Sequence, residues 1–155
     1  MKKIMFVCTG NICRSAMAHA YMQFSVNKLK NKDDYLISSC GTYAVPGEKS
    51  TNNAIIAMKE YGVDLSNHHA TNIRDIDIEN YDLILCMTMQ HKRNVVELYP
   101  KLLNKTYTIK EYVNRDEIYK DIDDPWGLNL QVYKDCARDI VNNVDKVIQK
   151  LEVGE

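Results

Sequence analysis

The sequence predicts one doubly wound α/β domain built around a parallel sheet, and three observations carry that expectation. Short apolar runs without polar alternation, Ile4–Val7 and Tyr81–Met87, have the pattern of strands buried on both faces. Amphipathic helical patterns alternate with the strand-like runs, the order expected of βαβ units. The length of 155 residues suits one domain over residues 1–155, with no linker, repeat or low-complexity tract to divide it.

The elements follow in order. Ile4–Val7 is the first strand, and Cys8–Arg14 interrupts it with Thr, Gly and Asn. From Ser15 a helix takes over, with Met17, Ala20, Tyr21 and Phe24 on one face. Asp34–Ser39 reads as the second strand, and the segment from Cys40 through Pro46 and Gly47 as a turn region. Thr51–Tyr61 is a helix with Ala54, Ile55, Ala57 and Met58 inward, and Gly62 stands where a helix-ending glycine is expected. Asn67–Asp77 is polar and irregular. Tyr81–Met87 is the third strand, Gln90–Leu98 a helix ended by Pro100, and Thr106–Ile109 a short fourth strand. Asp121–Gly127 is an acidic loop holding the only Trp. Last comes a long amphipathic helix in which Tyr133, Ala137, Ile140, Val144 and Val147 recur at helical spacing.

Composition narrows the function classes. Lys and Arg number 20 against 21 Asp and Glu, a formal charge of -1, which argues against a dedicated nucleic-acid binder. No apolar stretch approaches the roughly 18 residues of a membrane span. Met1-Lys2-Lys3 followed by Ile4–Val7 imitates a signal peptide, but Thr9, Gly10, Asn11 and Arg14 cut the apolar region short. The five Cys, at 8, 13, 40, 86 and 136, are odd in number and dispersed, unlike a disulfide framework. A cytoplasmic protein with reduced thiols is expected.

The chemistry is expected in VCTGNICRS, Val7–Ser15. Ligand crevices of open α/β sheets lie at the carboxyl ends of strands, and a loop entering a helix points backbone N–H groups at one spot. Gly10 and Asn11 tolerate positive φ, which lets such a loop curl into an anion-binding nest. Arg14 adds a planar pair of donors suited to two phosphate oxygens. Cys8 then sits in a positive field that favours its thiolate, and Ser15 is placed to donate to the sulfur. An anion cradle with a nucleophile at its base suits thiolate attack on a phosphoryl group. Two blander readings stay open at this point: half of a metal site, and a Cys8/Cys13 redox pair. The other cysteines are too dispersed to suggest the first, and the spacing is not Cys-x-x-Cys. A second piece is Asp123-Asp124-Pro125-Trp126, where an Asp beside an aromatic and desolvated by it suits a general acid; the alternative is an ordinary turn.

Together, FVCTGNICRS (Phe6–Ser15) and DPWG (Asp124–Gly127) resemble the phosphate-binding loop and acid loop of the low-molecular-weight protein tyrosine phosphatases. The resemblance extends over the chain through SCGT (Ser39–Thr42), YDLIL (Tyr81–Leu85) and the last helix, and is nearest the bacterial branch through MTMQHK (Met87–Lys92) and KEYV (Lys110–Val113). It implies a four-stranded parallel sheet of order 2-1-3-4 with helices on both faces. It also implies Cys8 as nucleophile, Arg14 as phosphate ligand and Asp124 as general acid and base. Thr9, Gly10, Asn11, Ile12, Cys13 and Ser15 would complete the phosphate-binding loop, with Cys13 able to trap oxidised Cys8 as a disulfide. Ser39 and His68 would support Asn11, and Ile12, Tyr43 and Trp126 would line the substrate cleft. No metal or organic cofactor is implied. The implied partners are a phosphotyrosine protein or small aryl phosphate, and inorganic phosphate as product and inhibitor, with neither nucleic acid nor membrane.

The sequence also departs from the family pattern. Ala16 replaces the usual proline after Ser15, and His19 replaces an acidic residue, reading as a surface substitution. Thr71 stands where arginine is common. Bacterial relatives divide between phosphotyrosine and phosphoarginine enzymes; a small Thr after the loop asparagine goes with phosphoarginine, and Ile12 points to phosphotyrosine because an apolar side chain packs on a phenyl ring. Protein arginine phosphatase is the alternative. A thiol-dependent arsenate reductase lacks a resolving cysteine between Cys86 and Cys136, and a non-catalytic phosphopeptide module would not keep both Cys8 and Asp124.

Overall fold

A computed structural model describes residues 1–154. Four parallel strands, β1 (Lys2–Cys8), β2 (Tyr35–Gly41), β3 (Leu83–Cys86) and β4 (Thr106–Thr108), form one sheet in the order β2-β1-β3-β4. The helices are α1 (Arg14–Val26), α2 (Asn52–Lys59), α3 (Met89–Leu98), α4 (Ile109–Val113) and α5 (Leu130–Glu152). Side chains alternate across a strand, so β1 and β3 feed two cores. Ile4, Phe6, Leu83 and Leu85 join Met17 and Met22 of α1, Met58 of α2 and Ile140 and Val144 of α5 on one face. Met5, Val7, Ile84 and Cys86 join Ile73, Val95 of α3 and Leu102 on the other. The continuous apolar runs are explained: both strand faces are covered.

β3 and α2 are shorter than the expected Tyr81–Met87 and Thr51–Tyr61, and three further boundaries differ in a way that changes an element. β2 runs on through Cys40 and Gly41, which pair with Val7 and Cys8, so this stretch is strand rather than turn. Lys2 and Lys3 extend β1 by pairing with Tyr35 and Leu36. The predicted fourth strand stops at Thr108, and Ile109 begins α4. Thr108 Oγ1 accepts the Glu111 N–H at 3.1 Å while Glu111 Oε2 accepts the Thr108 N–H at 2.7 Å, a capping box. The Thr-x-x-Glu string was the available signal for that helix.

The topology places the site. The helix after β1 packs on one face of the sheet and the helix after β3 on the other. β1 and β3 are neighbours, so their connections diverge and leave a crevice at their carboxyl ends. Cys8 is the last residue of β1.

Candidate active site

The loop after β1 closes around the sulfur of Cys8. Cys8 Sγ lies 2.8 Å from Ser15 Oγ and accepts the Asn11 N–H at 3.3 Å. α1 starts at Arg14, so its positive N-terminal end faces the same point. Asn11 is the one non-glycine residue with positive φ among those described, at 56°, a conformation an asparagine adopts more readily than most residues. Three contacts hold it there: its Nδ2 donates to Ser15 Oγ at 2.7 Å, its Oδ1 accepts the Thr71 N–H at 2.9 Å, and its carbonyl lies 2.7 Å from His68 Nε2. Of the two loop residues that tolerate positive φ, Asn11 adopts it and Gly10 does not.

β2 presses against this loop from behind. Thr42 and Tyr43 donate backbone N–H groups to the carbonyls of Cys8 and Thr9, each at 3.0 Å. A Cβ on Gly41 would stand 2.3 Å from the Thr9 carbonyl oxygen and 3.0 Å from the Asn11 nitrogen, so only glycine permits the approach.

Arg14 is 5% exposed. Its Nη1 donates to the Ile122 carbonyl at 2.9 Å and its Nη2 lies 3.6 Å from Asp124 Oδ2. The acidic loop is itself anchored: the Ile122 N–H donates to the Met87 carbonyl at 2.8 Å, and Asp121 Oδ1 accepts the Met89 N–H at the start of α3, also at 2.8 Å. Asp124 Oδ1 accepts the Trp126 N–H at 3.0 Å. The side chain of Asp124 is 55% exposed rather than enclosed by the neighbouring aromatic, and the charge beside it is Arg14. Asp123 is held elsewhere, by the Tyr119 hydroxyl. Ile122 was missed by sequence reasoning, although a lone apolar residue within DIDDP was a signal that it is buried.

These parts border a cleft of about 270 Å³. Thr9, Gly10 and Ile12 line it with Cys8, Cys13 and Arg14, and Asp124 and Trp126 join from the acidic loop. Tyr43 does not. The residue is 74% exposed and borders a separate depression with Arg74 and Asn94, while its backbone N–H is tied to Thr9. Cys13 is buried, its Sγ 3.4 Å from the Tyr133 hydroxyl and 3.7 Å from Thr51 Oγ1, and burial raises its pKa. Burial also pushes Cys136 up to about 12 and raises Cys40 and Cys86. Among the described residues no cluster of His, Cys, Asp and Glu could hold a metal ion.

The supporting residues fall out differently from the expectation. His68 reaches the loop directly, but Ser39 makes no hydrogen bond to it among the described residues. Instead Ser39 Oγ lies 2.8 Å from His19 Nδ1, and the His19 ring meets His68 edge-on with centroids 6.3 Å apart. His19 is therefore an inner member of this network, not a surface substitution; burial lowers its pKa to about 4, helped by His68. His91 was also missed. It is 4% exposed, with Nε2 2.8 Å from Thr9 Oγ1 and Nδ1 3.0 Å from Thr88 Oγ1, and burial with the nearby Arg14 charge lowers it to about 4.

The family model for low molecular weight phosphotyrosine protein phosphatase matches residues 3–154. The chain belongs to this family. Among its phosphatase relatives, a protein-arginine-phosphatase of Geobacillus stearothermophilus is 31% identical over 99% of this chain and 98% of that protein. The low molecular weight protein-tyrosine-phosphatase PtpB of Staphylococcus epidermidis is 34% identical over 97% of this chain and 99% of its own length. The crystal structure of the low molecular weight protein tyrosine phosphatase from T. tengcongensis superposes with a TM-score of 0.87 at 37% identity, covering 97% of this chain and 99% of the other. A second structure, at a TM-score of 0.88 and 30% identity over 99% of this chain and 97% of its own, is an arginine phosphatase in which serine replaces cysteine and the active-site serine is phosphorylated. The chain is accordingly a phosphatase of this family, and its sheet order matches the family fold.

Proposed function

We propose that the chain hydrolyses phosphotyrosine in proteins through a phosphocysteine formed on Cys8. The observation that carries this reading is the meeting of three groups at one cleft. Cys8 Sγ is held by Ser15 and the Asn11 N–H, Arg14 is buried and anchored, and Asp124 stands 3.6 Å from the arginine on the exposed side. In the first step the sulfur attacks phosphorus, an S–P bond forms and the P–O bond to the phenol breaks, with Asp124 giving its proton to the departing oxygen. In the second step Asp124 takes a proton from water, whose oxygen attacks phosphorus while the S–P bond breaks, releasing phosphate and the cysteine. Arg14 and the loop amides meet the charge on the phosphoryl oxygens in both steps. Inorganic phosphate, carrying the same oxygens, is then product and competitive inhibitor.

Ile12 supports phosphotyrosine as the substrate. It is half-buried and lines the cleft, offering an apolar face to a phenyl ring and no polar partner to a guanidinium. Phosphoarginine is the second reading, favoured by the similarity to a protein-arginine-phosphatase. Side-by-side kcat/KM values on phosphotyrosine and phosphoarginine peptides decide between them. The proposal expects faster turnover of phosphotyrosine, and a tenfold preference for phosphoarginine would overturn it.

A further inference from the structure

We infer that His91 is a positioning residue that turns the hydroxyl of Thr9 into a hydrogen-bond donor to an anion in the cleft. The inference rests on the phosphatase reading of that cleft and adds a member to its anion-binding groups. Thr9 is the first residue after the cysteine; it is exposed and lines the cleft. Its hydroxyl proton can point toward His91 or toward the cleft, and which it does depends on the imidazole tautomer.

The network around Thr88 selects the tautomer. Thr88 Oγ1 caps α3, accepting the His91 backbone N–H at 3.1 Å, and lies 3.0 Å from His91 Nδ1. Were Nδ1 protonated, Thr88 would accept twice and its own hydroxyl proton would have no acceptor among the hydrogen bonds formed by the described residues. With Nδ1 unprotonated, Thr88 accepts the amide and donates to Nδ1, and every group on that side is used. The ring proton then sits on Nε2 and donates to Thr9 Oγ1 across 2.8 Å. Thr9 spends a lone pair on the histidine and keeps its proton for the cleft. Burial and the Arg14 charge keep the ring neutral, the state this relay requires. α3 thereby reaches the phosphate-binding loop through a side chain on the face of the sheet opposite α1.

Binding of inorganic phosphate to the full chain, measured by calorimetry with a melting temperature for each variant, tests this without relying on turnover. The amide nitrogen of Gln stands roughly where Nε2 stands and that of Asn where Nδ1 stands. His91→Gln should therefore bind phosphate within about twofold of wild type, while His91→Asn and Thr9→Val each weaken it about 5- to 10-fold. The double variant His91→Asn/Thr9→Val should be no weaker than the poorer single variant, because both remove one donor. Thr9 is exposed, so Thr9→Val folds even where a substitution at 91 costs stability, and Thr9→Ser should match wild type. Thr9→Val binding as well as wild type, Gln and Asn at 91 behaving alike, or losses that multiply in the double variant would each overturn the inference. Absence of phosphate binding by the wild-type chain would overturn the assignment of this cleft as the phosphate site and this inference with it.

Discussion

Gly41→Ala tests whether the loop after β1 is shaped from behind by β2. The added methyl carbon would stand 2.3 Å from the Thr9 carbonyl oxygen, 3.0 Å from the Asn11 nitrogen and 2.9 Å from the Ala44 Cβ. A carbon and a carbonyl oxygen come to rest at roughly 3.3–3.6 Å, so relief requires a displacement of about 1 Å, and two of the three neighbours are backbone. Gly41 cannot retreat freely, because its N–H donates to the Thr71 carbonyl at 2.9 Å and the next two residues donate to Cys8 and Thr9. The loop has to give. Overpacking of this kind costs about 1–3 kcal/mol of stability, which a domain of this size survives. A misplacement of about 1 Å at reacting groups costs on the order of 100-fold in rate. Urea melts and kcat/KM on 4-nitrophenyl phosphate should therefore show a folded enzyme, modestly destabilised, with activity down about 100-fold. Activity within fivefold of wild type would refute the claim that β2 sets the loop.

Cys8→Ser should abolish turnover while phosphate or vanadate still binds, since the loop amides and Arg14 remain; residual activity above about a hundredth of wild type would sink the nucleophile assignment. Asp124→Asn should lose about 10²–10⁴ on phosphotyrosine and much less in forming phosphocysteine from an activated aryl phosphate, whereas Asp123→Asn, whose carboxylate faces Tyr119, should stay near wild type. The reverse ranking in burst and steady-state rates would redraw the acid loop. Stability should fall on the acid side: His19 and His91 have folded-state values of about 4 against roughly 6.5 when unfolded, so the unfolded chain binds protons that the folded chain refuses between those limits. Stability is full above about pH 6.5 and is lost as pH falls toward 4, by about 2 kcal/mol per histidine at pH 5. Urea melts at pH 7.5 and 5 that agree within about 1 kcal/mol would contradict the burial of neutral imidazoles.

The fold was legible because its sheet is parallel and covered on both faces. Ile4–Val7 and Leu83–Cys86 admit no polar residue on either side, so their burial shows in the sequence without knowledge of what covers them. The loop could be read because its chemistry is local: Cys8, Asn11, Arg14 and Ser15 lie within one turn of chain and one helix start. What could not be read depends on pairing between distant segments. That Cys40 and Gly41 belong to β2 follows from their partners Val7 and Cys8. That Tyr43 lies beside Arg74 and Asn94 instead of in the cleft depends on segments some thirty to fifty residues further along the chain. His19 and His91 read as ordinary helix residues, since a partner 20 residues away at Ser39, or 82 away at Thr9, leaves no periodic trace.

Five buried cysteines in one small domain raise the question of why one of them would be reactive, and position in the fold supplies the answer. Cys40 and Cys86 lie within β2 and β3, both fully covered, on the face packed against α3, and neither sulfur makes a hydrogen bond among the described residues. Cys136 faces the underside of the acidic loop from α5, its Sγ 3.6 Å from the Asp123 carbonyl, an acceptor that favours the thiol. Cys13 is turned from the chain's first crossover toward Tyr133 and Thr51. Cys8 alone ends a central strand where the next residues bend back over it, so its sulfur meets a hydroxyl, a backbone donor and the start of a helix together. None of those three partners is unusual, and each is supplied by residues within seven positions of the cysteine. The distant contributions (Gly41, His68, Arg14's anchor at Ile122) hold that short segment in place. The reactivity proposed for Cys8 would thus be built locally, with the rest of the domain holding that segment in place.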